Sequence, residues 1–330
     1  MKKYFPFILF ILSTAAAQQP LKIASLHPVL TGLAREIGGD LVTVTSVLPS
    51  GVDPHLFEPS AVDLRAIVNA DLTLAAGLGL ESYLDRLAAR AGAPGKILSA
   101  GDTLPENLLL CPGARDHAAH AAGCHHHSHA ATATTGDDAT IPHSAFRIPH
   151  SALRADPHWW QSIDCVSFIA GRIGDEFARL RPEAAGAFAR NTRACRQRLS
   201  ALKTWAGAEI ARIPPARRHL VTSHDAFGYL ARDYGFEIHS LSGLSTDSEP
   251  DARRLAVLIK LIREKKIPAV FTENNASPRV IANLVSETGA RTGGTLHADG
   301  PGPADGDAAT YEAMYRHNIR TLVAALATGG

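Results

Sequence analysis

Apolar and polar positions alternate along the chain in blocks typical of short strands and amphipathic helices. In the first half, apolar runs at residues 22–26, 42–48 and 72–76 have the length of buried strands, and a helical pattern covers residues 29–37. A further helix is predicted to begin after Ser60, because Asp63 stands three residues on, in the position of a capping box. Strands that alternate with helices form parallel sheets, so the pattern predicts an α/β fold.

The second half of the chain follows the same plan. A helix is predicted from Pro278, which follows the capping residue Ser277, and further helices cover residues 227–233, 250–264 and 310–325. The predicted strands of this half are 219–222, 237–241, 269–271 and 295–297. This half is therefore also expected to form an α/β unit.

Matching residues recur at matching places in the two halves. His27 is followed seven and eight positions later by Ala-Arg, and His224 is followed by Ala-Arg at the same offsets. A Glu-Pro pair then opens a helix in each half, at residues 58–59 and 249–250. The recurrence predicts two similar lobes, each a mainly parallel sheet flanked by helices, that face each other across a cleft. Chance similarity is the alternative.

Residues 181–213 carry good helix formers with apolar side chains at helical spacing. We predict that they form one long rigid helix, which joins an N-terminal lobe of residues 18–180 to a C-terminal lobe of residues 214–330. A stiff link of this kind limits the lobes to small rocking motions.

Length and charge limit what the protein binds. A chain of 330 residues exceeds what one hydrophobic core usually supports, so two domains are expected. The formal net charge of +1 gives no basic surface for nucleic acid and no acidic surface for a polycation. The expected partner is a small ligand or a protein.

The first 17 residues have the features of a secretory signal peptide, namely two early lysines, an apolar run and three alanines before Gln18. The run is too short to cross a bilayer, and no later segment approaches the roughly 20 apolar residues of a membrane helix. Because no cysteine stands at the predicted cleavage site, a free periplasmic protein is expected rather than a lipid-anchored one.

A His-rich stretch interrupts the first lobe at residues 116–150, and a tandem repeat of Ile-Pro-His-Ser-Ala follows within residues 141–154. The composition predicts a disordered loop, which is either a weak metal chelator or a low-complexity insert. Its candidate auxiliary metal ligands are His117, His120, His125, His126, His127 and His129.

The four cysteines are compatible with disulfides in an oxidising compartment. Cys111 and Cys124 flank the His-rich stretch, where a disulfide and a thiolate-assisted metal site are both open. Cys165 and Cys195 lie in predicted helices that could pack side by side. The sequence does not fix the pairing.

Four residues stand on predicted loops at strand ends, where open α/β sheets place their binding crevices, and each can ligate a metal ion. His55 and His158 share the tripeptide Asp-Pro-His, in which proline fixes the backbone, and the two tryptophans after His158 can exclude water. The alternative for each is a structural role in a surface turn. The four candidate ligands are His55, His158, His224 and Asp299.

His224 stands between a predicted strand and a helix whose dipole should favour the neutral imidazole that binds metal ions. Asp299 would supply an anionic oxygen, and Gly300 allows the tight turn after it. The competing candidates near Asp299 are His297, Glu273 and Asp305. The residues that could hold the ligands in place from behind are Glu273, His27 and Asp156.

These stretches resemble the metal-binding motifs of the ZnuA/TroA-like family, the periplasmic metal-binding proteins of zinc and manganese ABC transporters (solute-binding protein family 9). The family patterns Gly-x-Asp-Pro-His-x-x-Glu-Pro, Asp-Pro-His-x-Trp and Ser-His-Asp-Ala-Phe fall on residues 51–59, 156–160 and 223–227. The acidic ligand of the family falls on Asp299 by its place before Tyr311-x-x-Met-x-x-x-Asn318, although the neighbouring residues differ. The resemblance covers essentially the whole mature chain. It implies one metal ion held between two lobes, a rigid linking helix and a membrane permease as partner.

Three imidazoles and one carboxylate suit tetrahedral Zn²⁺ better than Mn²⁺, which prefers more oxygen ligands and a higher coordination number. In the family a glutamate in place of the third histidine goes with manganese or iron, so His224 favours zinc and leaves manganese as the alternative. A secreted zinc hydrolase is a rival class, but the chain has no His-Glu-x-x-His motif. A metal-storing or adhesive surface protein is a third class. We expect a carrier that is not an enzyme. A monomer is expected because the permease must dock on both lobes.

Deletion of residues 116–148 is expected to spare one tight metal site and to remove only weaker additional ions, because a polar, unpacked loop adds donors without a fixed geometry. Metal analysis before and after the deletion measures the effect. Loss of tight binding would instead place a loop histidine in the primary site.

Overall fold

The computed structural model describes residues 19–90, 96–110, 155–246, 252–274 and 278–327. The predicted signal peptide, the His-rich stretch with its six candidate ligands, Cys111 and Cys124 lie outside these ranges. Among the described helices, none is both long enough and apolar enough to cross a bilayer.

The first lobe contains one parallel sheet with the strand order β2-β1-β3-β4. Its helix α2 begins at the predicted capping box, since Ser60 N donates to Asp63 Oδ2 at 2.8 Å and Asp63 N donates back to Ser60 Oγ at 3.4 Å. The elements are β1 (Leu21–Ser25), α1 (Pro28–Gly38), β2 (Val42–Ser46), α2 (Ala61–Val68), β3 (Leu72–Ala75), α3 (Leu84–Arg90) and β4 (Ile97–Ser99). Two long helices follow, α4 (Ile163–Leu180) and α5 (Ala185–Ile210).

The second lobe contains two parallel pairs, β5-β6 and β7-β8, and β5 lies beside β7. The elements are β5 (His219–Thr222), α6 (Gly228–Tyr234), β6 (Glu237–Ser240), α7 (Ala252–Lys265), β7 (Ala269–Glu273), α8 (Pro278–Thr288), β8 (Arg291–Leu296) and α9 (Tyr311–Leu326). The strands therefore lie in the same relative order as in the first lobe.

Strand β8 begins four residues before its predicted start, at Arg291 rather than residue 295. Glycine is unfavourable in strands, so residue propensities do not predict a strand at Gly293 and Gly294. Packing explains the first glycine, because a Cβ at position 293 would lie 2.5 Å from Cε1 of Phe271 on the neighbouring strand.

The predicted repeat is visible in the turns after the first strand of each lobe. His27 and His224 both stand two residues beyond that strand. Ser25 Oγ donates to the carbonyl oxygen of His27 at 3.0 Å, and Thr222 Oγ1 donates to that of His224 at 2.8 Å. The two lobes thus share both their strand order and this local hydrogen bond.

Helix α5 has 26 residues, lies within the predicted range 181–213, and contacts α1, α4 and α9. At 1.5 Å per residue it is about 39 Å long, which spans both lobes. One cluster of buried side chains continues from Leu30 in α1 through Phe177 and Phe188 to Leu322 in α9. This shared core makes the connection between the lobes stiff.

Cys165 and Cys195 lie on α4 and α5, which pack side by side as predicted, but both thiols are free and buried. Burial raises the pKa of Cys165 to about 11 and that of Cys195 to about 12. Both side chains therefore remain protonated at neutral pH and pack as small apolar groups.

Candidate metal centre

The four candidate ligands, drawn from both halves of the chain, converge on one point, with their ligating atoms all within 4.8 Å of one another. Nε2 of His55 lies 3.2 Å from Nε2 of His158. Oδ1 of Asp299 lies 3.6, 3.4 and 3.5 Å from Nε2 of His55, His158 and His224. A tetrahedral ion with bonds of about 2.0–2.1 Å places its ligand atoms about 3.3–3.4 Å apart. The measured spacings fit such an ion.

This cluster is buried, since the side chains of its members are between 0% and 5% exposed. His224 Nε2 has no hydrogen-bond partner in the described part of the chain. Buried polar atoms almost always have a partner, because an unsatisfied one costs roughly 1–3 kcal/mol. A bound cation at the centre would satisfy this nitrogen.

The loop that carries His55 is fixed by the carboxylate of Asp53. Its Oδ1 accepts from the backbone N of His55 at 2.8 Å, and its Oδ2 accepts from Thr246 Oγ1 at 2.6 Å. Phe57 packs against Tyr83 with the ring centroids 6.3 Å apart, which anchors the loop on the first lobe. The Asp53 to Thr246 bond joins the two lobes beside the site, and sequence reasoning did not identify it.

His158 is held by Asp156, the first residue of its Asp-Pro-His turn. Asp156 Oδ1 accepts from the backbone N of His158 at 2.9 Å and lies 2.7 Å from its Nδ1. When an ion displaces the proton from Nε2, this hydrogen bond keeps the other proton on Nδ1 and directs the lone pair of Nε2 at the centre. Asp156 therefore lies directly behind the ring of His158.

The tryptophans after His158 close the site between the lobes, and both are fully buried. Trp159 Nε1 donates to the carbonyl oxygen of Ala76 in the first lobe at 3.0 Å. Trp160 Nε1 donates to that of Ala298 in the second lobe at 2.8 Å. The two tryptophans thus form a direct hydrogen-bonded connection between the lobes beside the site.

The helix dipole does not act on His224 as expected, because α6 begins only at Gly228, four residues further on. Glu273 sets the state of the imidazole instead. Its Oε2 accepts from His224 Nδ1, and its Oε1 accepts from the backbone N of Ser223 and of His224 at 2.9 and 3.1 Å. Burial lowers the pKa of His224, but the charges of Asp299 and Glu273 outweigh it and raise the pKa well above its usual value.

Asp299 follows β8 and is the acidic residue that reaches the centre. Gly300 has a φ of +140°, a conformation that favours glycine and allows the predicted turn. Burial raises the pKa of Asp299, but His224, His158 and His55 together hold it well below the usual value. The carboxylate is therefore ionised and suited to a cation.

The competing candidates do not reach the centre. Asn318 accepts from the backbone N of His297 at 2.8 Å and donates to its carbonyl oxygen at 2.9 Å, and the ring of His297 contacts His317. Asp305 is exposed, and Glu273 is occupied with His224.

His27 lies behind the site rather than in it. Its ring stacks on Trp160 at a centroid distance of 4.2 Å, and its Nδ1 accepts from the backbone N of Val29 at 3.3 Å. Burial lowers the pKa of His27 to about 3, against the opposing charge of nearby Asp299. His27 therefore packs as a neutral ring that supports Trp160.

Metal binding is expected to release protons at neutral pH and to strengthen as the pH rises. Burial lowers the pKa of His158, but the carboxylates of Asp156 and Asp299 outweigh it and raise the pKa to about 9. The metal-free imidazole is therefore protonated below pH 9, and an ion must displace that proton. Apparent affinity should rise about tenfold per pH unit for each proton displaced, and the contribution of His158 should level off above about pH 9.

Calorimetric titration at pH 7 in buffers of different ionisation enthalpy measures this release, and about one to two protons per ion are expected. An equal binding enthalpy in all buffers would show that the imidazoles are already neutral in the metal-free protein.

Replacement of Glu273 by glutamine is expected to weaken metal binding roughly 10- to 100-fold, the usual cost of losing a group that orients a ligand. If the amide oxygen keeps the two backbone N–H bonds, the amide NH₂ faces His224 Nδ1 and donates to it. The imidazole proton then moves to Nε2, which blocks the ligating atom. Competitive titration with a zinc chelator measures the loss. The matched control is Glu287→Gln, an exposed glutamate paired with Arg263, which should bind as the unmodified protein does.

Comparison with known proteins finds four matches. The family model described as zinc-uptake complex component A, periplasmic (ZnuA), matches residues 23–325. The chain is 33% identical over 316 residues to the manganese-binding lipoprotein MntA of Bacillus subtilis (strain 168), which covers 94% of this chain and 91% of the relative. It is 29% identical over 318 residues to the zinc-binding protein TroA of Treponema pallidum (strain Nichols), with coverage of 95% and 91%. The solved structure of the periplasmic zinc-binding protein TroA from Treponema pallidum is similar with a TM-score of 0.77 and 27% identity, over 94% of this chain and 100% of that one.

Proposed function

This chain belongs to the ZnuA family of metal-binding solute-binding proteins, and we propose that it captures one Zn²⁺ ion outside the cytoplasm and delivers it to the permease of an ABC importer. Members of this family serve metal transport and are not enzymes.

The observation that carries the proposal is the convergence of three imidazole nitrogens and one carboxylate oxygen within 4.8 Å of one another. The oxygen of Asp299 lies 3.4 to 3.6 Å from all three nitrogens. Two of the imidazoles are each oriented through Nδ1 by a carboxylate, from Asp156 and Glu273. Carboxylate, histidine and metal in this order is a recurrent arrangement in zinc proteins.

The donor set favours zinc over manganese. Octahedral manganese sites are built mainly from oxygen, whereas the described residues offer one carboxylate and three nitrogens at this centre. The related proteins named above are described as binding manganese in one case and zinc in the other. The proposal of zinc therefore rests on the donor set of this chain rather than on its relatives.

A zinc hydrolase is the weaker alternative. Four protein ligands leave a tetrahedral ion without a position for an activated water. Glu273, the candidate general base, already accepts hydrogen bonds from His224 Nδ1 and from two backbone N–H groups. Neither requirement for hydrolysis is met at this site.

Delivery is supported by the way in which the two halves of the chain share the ion. His55 and His158 come from the first half, and His224 and Asp299 from the second. Separation of the lobes would remove ligands in pairs. The hydrogen bond from Thr246 to Asp53 would break in the same movement. A permease that binds both lobes can therefore release the ion by a small rocking motion.

The experiment that tests the proposal is metal analysis of the purified, tag-free protein together with competitive titration of zinc against manganese. One tight zinc ion per chain and much weaker manganese binding are expected. Tight manganese binding with little preference for zinc would retain transport and refute the choice of ion. Absence of any tightly bound metal would refute the site.

A further inference from the structure

A second group of metal-binding side chains lies on the β5-β6 pair, apart from the centre described above. His219 is the first residue of β5, and its register partner on β6 is Glu237. His239 lies two residues further along β6, and side chains two apart in a strand share a face. His219 Nδ1 lies 3.3 Å from His239 Nε2 and 3.3 Å from Glu237 Oε2, and His239 Nε2 lies 3.6 Å from Glu237 Oε1.

We propose that His219, Glu237 and His239 form a second, weaker binding site for a divalent transition-metal ion of the zinc class. Each of the three side chains offers one ligand atom, and these atoms lie within 4.8 Å of one another. The two imidazole nitrogens are 3.3 Å apart, as two ligands of a tetrahedral Zn²⁺ ion are, and each lies 3.3 to 3.6 Å from one of the two oxygens of Glu237. Two imidazoles and one carboxylate are zinc ligands, and a water molecule can take the fourth position because the glutamate side chain is 43% exposed.

The two imidazoles are favoured in the neutral form, which is the form that binds metal ions. Burial lowers the pKa of His219, and it lowers that of His239 to about 4 against the opposing charge of Glu237. Their rings stack at a centroid distance of 5.5 Å and an interplanar angle of 25°. At neutral pH this arrangement presents two neutral nitrogens beside one carboxylate.

Lys265 makes this site the weaker of the two. Its Nζ contacts the two carboxylate oxygens of Glu237 at 2.8 and 2.7 Å, at the end of α7. An incoming dication competes with this ammonium for the same oxygens and is repelled by its charge. Removal of the lysine should therefore tighten binding, which a purely structural cluster would not do.

The site is independent of the centre that contains His224. His219 begins β5, whereas His224 follows the end of that strand, so the two groups lie at opposite ends of it. The inference therefore does not rest on the proposed function.

The test uses the full-length mature chain with all eight histidines of the His-rich stretch replaced by asparagine, loaded with one equivalent of zinc at the tight site. Further titration with Zn²⁺ should reveal one weaker ion. His239→Ala and Glu237→Gln should each lower the affinity for that second ion about tenfold or more. Both variants should keep the tightly bound ion, which also shows that they fold. Lys265→Met should raise the affinity for the second ion about three- to fivefold, because an exposed ion pair contributes up to about 1 kcal/mol.

The matched control is His317→Ala, since His317 bonds to the carbonyl oxygen of Thr295 and is outside both clusters. It should keep both ions. A background protein that binds a single zinc ion would overturn the proposal. So would a weaker ion that persists unchanged in the His239 and Lys265 variants.

Discussion

Zinc affinity is expected to fall on the order of 100- to 1,000-fold when His224 is replaced by alanine, with the fold retained. Structural zinc binding amounts to about 10–16 kcal/mol in small peptides, so one of four ligands accounts for about 2.5–4 kcal/mol. The variant also leaves Glu273 buried without the imidazole that it orients. Competitive titration against a chelator of known affinity measures the loss, and circular dichroism checks the fold.

The matched control for this prediction is His297→Ala. His297 is the other histidine near the end of the second-lobe sheet, but its backbone is held by Asn318 and its side chain does not reach the centre. It should bind zinc as the unmodified protein does. If the His297 variant lost affinity and the His224 variant kept it, the ligand assignment in the second lobe would be wrong.

The fold was predictable because its signals are local. Buried strands and amphipathic helices appear as apolar runs and helical periodicity, and the capping box of α2 lies within four residues. The start of β8 was not predictable in this way. Its glycines oppose a strand by propensity, and only the ring of Phe271, more than 20 residues away, explains one of them.

The four converging residues were identified from short motifs, but the role of Asp53 was not. The two Asp-Pro-His turns look alike in sequence, and in both the aspartate accepts from the backbone N of its histidine. Asp156 also holds the ring of His158, whereas Asp53 reaches Thr246, which is 193 positions away. Contacts between distant parts of the chain decide whether such an aspartate orients the ring of its histidine or bonds to a remote residue.

His27 and His224 show the same limit. Both stand two residues after the first strand of a lobe and share the same hydroxyl contact. His224 meets Glu273 and is directed to the centre, whereas the ring of His27 stacks on Trp160. The internal repeat therefore predicts the turn but not the chemistry of the histidine in it.

Replacement of Asp299 by asparagine is expected to reduce zinc affinity about 100-fold or more while keeping the size of the side chain. An amide oxygen lacks the negative charge that a dication requires in a buried site. The same substitution removes a charge that raises the pKa of His158 and His224, so fewer protons compete with the ion. The variant should thus bind weakly, and its affinity should change less between pH 6 and 8 than that of the unmodified protein. A disrupted fold would not produce this flatter pH profile.

Asp305→Asn is the matched control, because that aspartate is exposed. Loss of affinity in the Asp305 variant, with normal binding in the Asp299 variant, would show that Asp305 rather than Asp299 is the anionic ligand.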